Sequence, residues 1–182
     1  MNENLNKDLL QSINDLLANT NITDVTAESN SFQELPDGYY LCTVDVAEIK
    51  ESKTSKMPMV AFTFSVIEDG TSFKADKDGN LEAVKVKHSK NRKIFMYYVL
   101  KDTNSVRRFA SDMLKFEGTE QGKPLLDKEY FMNADILADA LDILKGSNIY
   151  IQLSTSENKD GVKQTWNNLI SWKRATNLDL PM

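Results

Sequence analysis

Alternation of apolar and polar positions dominates the middle and the end of the chain, while helical spacing dominates its beginning. Leu5, Leu9, Ile13 and Leu16/Leu17 recur at helical intervals with Asn, Asp and Gln between them, which predicts an amphipathic helix over 5–17. Ala18 to Glu34 is rich in Asn, Thr and Ser and shows little periodicity, so it reads as a linker. Pro36-Asp37-Gly38 is turn punctuation. Tyr40, Cys42, Val44 and Val46 then alternate with Leu41, Thr43 and Asp45, the pattern of a half-buried strand reaching about Lys50. A polar turn from Glu51 to Met57 leads to a second strand. It carries Val60, Phe62, Phe64 and Val66 on one face and Ala61, Thr63 and Ser65 on the other, so the pair predicts a hairpin.

Residues 68–82 are a polar excursion. Within it Asp76-Lys77-Asp78-Gly79-Asn80 has some of the composition of a calcium loop but not the downstream glutamate, and it reads as a turn. A third strand zone holds Val84, Val86 and then Ile94 to Leu100, with the basic loop His88 to Lys93 inside it. In its second half Ile94, Met96 and Tyr98 share one face and Phe95 and Tyr97 the other. Asn104 or Ser105 is placed to cap a helix over 105–117 that Gly118 closes. Asn133 caps a second helix, with Ile136, Leu137, Ala140, Leu141 and Leu144 inward and Gly146 at its end. Ile149, Ile151 and Leu153 alternate as a fourth strand. Asn158 to Gly161 turns the chain into a fifth, Val162 to Trp172, on which Trp166, Ile170 and Trp172 share an inward face.

Three strands, a helical insertion and two strands is the order of a five-stranded OB-type barrel, which carries its helix between strands 3 and 4. The expected fold is mainly β with helices. A barrel domain spans 35–174, preceded by the amphipathic helix and linker of 1–34 and followed by a short tail over 175–182.

Composition narrows the function. No apolar run approaches the roughly 20 residues that cross a bilayer, and Met1-Asn2-Glu3-Asn4 lacks the basic start of a signal peptide. No membrane contact and a cytosolic location are expected. With one cysteine, Cys42, and one histidine, His88, the chain can build neither an internal disulfide nor a Cys/His zinc site. Cys42 falls in the alternating pattern as a small core residue, where thiols are inert. Asp135, Asp139 and Asp142 read as a solvated helix side. No glycine-rich phosphate loop, Ser-His-Asp ordering or metalloprotease helix is present, so no catalysis, metal or cofactor is expected.

Charge distribution then points to a partner. The net charge is −5, yet residues 38–115 alone carry +4, against −6 for 1–37 and −3 for 116–182. From Lys85 to Arg108 eight basic residues meet one acid, Asp102. Cations interleaved with aromatics suit a single-stranded nucleic acid, because the cations track phosphates and every base has a face to stack. The candidate contacts are Lys53 and Lys56 on the first turn, and Lys85, Lys87, Lys90, Arg92 and Lys93 on the third strand zone and its loop. Phe95 and Tyr97 offer stacking faces, and Lys163 and Trp166 lie on the fifth strand. Tyr39, Tyr150 and Trp172 are further aromatics of these segments. Core packing competes for each aromatic, and a solvated face competes for the basic run.

Pro36-Asp37-Gly38-Tyr39-Tyr40, the run Glu48 to Lys53, the strand Pro58 to Val66 and the junction Leu144 to Ile151 together resemble a family of phage-encoded OB-fold single-stranded-DNA-binding proteins. The resemblance covers about Pro36 to Trp172. It implies an OB fold without catalysis, and sequence-tolerant binding of single-stranded DNA during phage DNA replication or recombination in the cytoplasm of a bacterial host. The tail Asn177 to Met182 resembles a pared-down form of the acidic tip with which bacterial single-strand binders recruit partners, here phage or host replication and recombination proteins. An alternative of another class is a protein-interaction module, an adaptor or inhibitor, in which the barrel is a scaffold. The Leu/Ile stripe of 5–17 would then grip a partner groove or a second copy as a homo-oligomer.

Overall fold

In a computed structural model the described residues are 34–78, 80–117 and 123–180. The expected helix over 5–17 and nearly all of its linker lie outside them. The described chain is mainly β, with seven antiparallel strands and three α-helices. The strands are β1 (Gly38–Glu51), β2 (Pro58–Val66), β3 (Gly70–Ala75), β4 (Leu81–Val86), β5 (Lys93–Val99), β6 (Asn148–Glu157) and β7 (Lys163–Ile170). The helices are α1 (Thr103–Met113), α2 (Ala134–Leu144) and α3 (Trp172–Asn177), with a 3₁₀ turn at Lys128–Phe131. No helix among the described residues is long and apolar enough to cross a membrane.

At 14 residues β1 is long enough to pair along both edges. On one edge Gly38 to Thr43 face Leu153 to Asn148 of β6. On the other, β2 pairs from Cys42↔Val66 to Glu51↔Pro58, and Tyr39↔Thr71 attaches the β3–β4 hairpin. β5 extends β2, and β7 extends β6. The sheet thus runs β7–β6–β1–β2–β5, and among the described residues no ladder joins β5 to β7. This corrects the expected five-stranded barrel to an open sheet of seven strands. The polar excursion of 68–82 is in fact β3 and the start of β4, and the third strand zone divides into β4 and β5. Five of the six β4 residues are exposed, so no buried face imposes alternation on it.

The predicted alternation holds where a face is buried. Val60, Phe62, Phe64 and Val66 of β2 and Ile94, Met96 and Tyr98 of β5 lie in the main core. β1 departs from it. A bulge between Val44 and Val46 inserts Asp45, so Ala47 takes the core position and Val46 turns to solvent. Aromatic contacts carry the core outward from the sheet, from Phe62 to Tyr98, then to Phe109 of α1 and Phe131 of the 3₁₀ turn. α1 begins two residues before its expected start because Asp102, not Asn104 or Ser105, is its cap, in a capping box with Ser105. Gly118 lies outside the described residues. α2 is capped by Asn133 and followed by Gly146 at φ 79°, both as expected, although Ile136 stays partly exposed.

Asp112 ties α1 to both ends of the sheet. Its carboxylate accepts from the Tyr98 hydroxyl of β5 at 3.0 Å and from Lys115, whose ammonium also donates to the Leu169 carbonyl of β7 at 3.0 Å. The fifth strand ends at Ile170, and Trp172 opens α3 instead of continuing the strand. α3 lays Ala175 and Leu180 over Tyr150 and Ile170, with Tyr39, Phe73 and Trp172 around them, as a second apolar cluster. The tail is therefore docked up to Leu180, not a free tip.

Gly70 packs against Tyr40, so a methyl group there would run into the Tyr40 ring and the Tyr39 carbonyl oxygen. Gly70→Ala is expected to cost about 1–3 kcal/mol through overpacking. That lowers Tm by roughly 2–4 °C for each kcal/mol, read in thermal and urea melts. The Ser105 N–H, with the Ser105 hydroxyl, holds the Asp102 carboxyl below its usual value. Its contribution is present above the ordinary carboxylate value of about 3.9 and is lost as pH falls through the lower folded value. Asp102→Asn keeps a capping oxygen without the charge. Melts against pH should therefore show the variant losing stability less steeply than the parent between roughly pH 4 and pH 2.

Candidate functional site

The unladdered ends of the sheet leave a groove of about 700 Å³ between β5 and β7. One wall is β5 from Phe95 to Val99, the other is Thr165 to Asn167 of β7, and Lys101, Asp102, Asn104, Ser105 and Arg108 close one side from the start of α1. Alternation on β5 buries Ile94, Met96 and Tyr98 and so turns Phe95 and Tyr97 outward, 52% and 59% exposed. Trp166 of β7 is 43% exposed. The inward face expected for it is corrected, because the register pairs Trp166 with Ser154 on the side opposite the core residue Leu169. Its indole N–H donates to Ser156 Oγ at 2.9 Å, which fixes the ring plane. None of these three rings touches another aromatic ring among the described residues.

One direct bond crosses between the walls, from Asn167 Nδ2 to the Phe95 carbonyl at 3.0 Å. Lys101 and Arg108 line the groove and form no ion pair among the described residues, although the Lys101 charge is close enough to Asp102 to help hold that carboxyl below its usual range. Asp102, the groove's one carboxylate, is engaged by the Ser105 N–H at 2.8 Å. Tyr98, at the groove's inner edge, has its hydroxyl held protonated far above the usual range by burial and by Asp112.

The sequence-predicted contacts separate into five places. Phe95, Tyr97 and Trp166 meet in the groove. Lys53 and Lys56 sit on the β1–β2 turn, and Lys56, at φ 58°, pairs with Glu51 at 3.4 Å. Lys163 is exposed at the start of β7. Lys85 lies on β4, with Lys87, Lys90 and Arg92 on the turn into β5, and none of the four lines the groove. Lys93 heads β5 but is held by Asp45 at 2.7 Å and by Ser65. Despite its partial desolvation, the bonds from Lys93 and Ser65 hold the Asp45 carboxyl below its usual range. Tyr39, Tyr150 and Trp172 belong to the second apolar cluster, where Tyr39 packs edge-on against Phe73 and Tyr150 against Trp172.

Asn104, Arg108, Lys101 and Asn167 escaped the sequence reading of the site. The signal for two of them was Asp102-x-x-Ser105, which starts α1 early enough to put Asn104 and Arg108 on one helical face. Cys42 is fully buried, its thiol donates to the Tyr40 carbonyl, and burial pushes its ionisation far up, so it is no nucleophile. The described residues hold no cluster of His, Cys, Asp or Glu fit for a metal ion, and Asp142 pairs with Lys145 at 2.6 Å.

No curated protein matches the chain. The model of the family described as "Protein of unknown function (DUF669)" matches residues 22–177, both walls of the groove included, and the chain belongs to that family.

Proposed function

We propose that the chain is a sequence-tolerant single-stranded-DNA-binding protein, without catalytic activity, that receives the strand in the β5–β7 groove. One observation carries the reading. Three exposed rings, unpaired with one another, stand on the two walls of a groove lined by two cations, Lys101 and Arg108, against one carboxylate, Asp102. Exposed aromatic faces cost contact with water, and stacked bases relieve that cost whatever their identity. Cations beside them meet phosphates, and the open strand edges offer backbone polar groups to a polar ligand.

The strand order supports an OB-type topology. In that reading β1, β2, β5, β6 and β7 are its five strands, the β3–β4 hairpin is an insertion, and α1 with α2 fills the helical position between β5 and β6. An OB-type binder of this kind, phage-encoded and cytoplasmic, would cover single strands during replication or recombination. The alternative of an adaptor that grips a protein is favoured by the outer edge of β4, which pairs with no strand among the described residues and shows Leu81 71% exposed. Salt separates the two readings, since phosphate contacts weaken steeply with ionic strength and an apolar strand-edge contact does not.

The test is a titration with fluorescent oligo-dT of about 30 nucleotides and with an equal duplex, at low and moderate salt. Tight, salt-sensitive binding of the single strand is expected. Phe95→Ala, Tyr97→Ala and Trp166→Ala should each weaken it by about 1–3 kcal/mol, roughly 5- to 150-fold. Intrinsic fluorescence should be quenched by DNA in Trp172→Phe and not in Trp166→Phe, since only Trp166 lines the groove. A chain that binds no single strand at low salt ends this reading and sends the search to protein partners.

A further inference from the structure

The cationic turn between β4 and β5 stands apart from the groove, and its construction is unusual for a loop that only needs to be soluble. Ser89, at its centre, is 1% exposed. Its hydroxyl donates to the Val86 carbonyl at 2.7 Å and accepts the Gly70 N–H at 2.8 Å. Asp69 accepts the Ser89 and Lys90 N–H groups, which holds its carboxyl below the usual range. The Asn91 N–H donates to the Val66 carbonyl at 2.8 Å, and the Val66 N–H returns to Arg92 at 2.9 Å. His88 and Asn91 are both left-handed, at φ 63° and 65°. Side chains are disfavoured in that region, and such conformations persist where surrounding bonds impose them.

The result is a stiff turn that holds Lys87 and Lys90 outward with Lys85 on the adjoining strand. All three are exposed, and none is in an ion pair among the described residues. The turn runs directly into Lys93 and β5. Two residues on is Phe95, the first aromatic of the groove, about 7 Å along the strand.

Resting on the single-strand reading of the groove, we propose that Lys85, Lys87 and Lys90 form a second, separate contact for the phosphate backbone of the same strand. It takes up the DNA where it leaves the groove at Phe95. The groove stacks bases, and the turn adds charge alone. The footprint on DNA is therefore longer than the groove, and the turn's contribution depends on oligonucleotide length.

The test compares the parent with Lys85→Gln/Lys87→Gln/Lys90→Gln on oligo-dT of about 5 and about 15 nucleotides, within the range of OB-fold site sizes. A charge-matched control is Lys128→Gln/Lys145→Gln/Lys173→Gln, and melts confirm that both variants fold. The triple variant should bind the short strand within about twofold of the parent. It should lose at least fivefold on the long strand, with a salt slope shallower by about 2, as three released phosphate contacts require. The control should keep the parent's affinity for both. Equal losses on the two lengths, no loss on either, or the same loss in the control would overturn the second contact. Failure of the groove reading looks different. There the parent does not bind the short strand, or binds it with no dependence on Phe95, Tyr97 and Trp166.

Discussion

Asp112 links the two open edges of the sheet through buried polar bonds. Its carboxylate takes the Tyr98 hydroxyl from β5 and, through Lys115, reaches the Leu169 carbonyl of β7. The acid's side chain is 14% exposed, so these are charge-assisted bonds in a poorly hydrated place, where leaving either partner unpaired would be expensive. They set α1 against both edges at once and thereby set the separation of β5 from β7. The Asn167–Phe95 bond is the second tie. Both residues of that second tie line the groove. Its width is thus a property of side chains on α1 and β7, not of a backbone ladder.

That construction reconciles an open sheet with a stable core. Leaving the edges open keeps backbone N–H and C=O groups in contact with solvent, where they carry no burial cost. The apolar cost is met elsewhere, by the aromatic run from Phe62 through Tyr98 and Phe109 to Phe131 and by the separate cluster under α3. Of the groove's rings, Trp166 is held by a bond to Ser156 that does not depend on any ligand. A site so preorganised loses little freedom on binding.

The sequence was legible wherever one face is buried. The inward sets of β2 and β5 follow from period-2 alternation alone, and with them the outward Phe95 and Tyr97. The cap and the terminal glycine of α2 were legible for the same local reason. The β3–β4 hairpin was not, because a strand with nearly every residue exposed has no alternation to read. Neither was the bulge at Asp45, since one extra polar residue leaves no mark until the partner strand sets the register. Trp166 was assigned inward because Trp166, Ile170 and Trp172 were counted on one continuous strand, whereas Trp172 opens a helix. Asn167 reaches the groove only through the packing of β7 beside β5, which no local pattern encodes.

A net charge of −5 does not oppose a polyanion, because charges act over a limited range. At about 0.1 M salt the screening length is about 10 Å, so a strand in the groove responds to what lines it and little else. Those residues are Lys101 and Arg108 against Asp102, and the Asp102 carboxylate is already taken up by the start of α1. Lys93 shows the converse. It stands at the head of β5, yet Asp45 and Ser65 hold its ammonium, so its charge is compensated on site. Counting basic residues along the chain singled out Lys93 and passed over Lys101 and Arg108. The field at the groove is set by which of them the fold leaves unpaired.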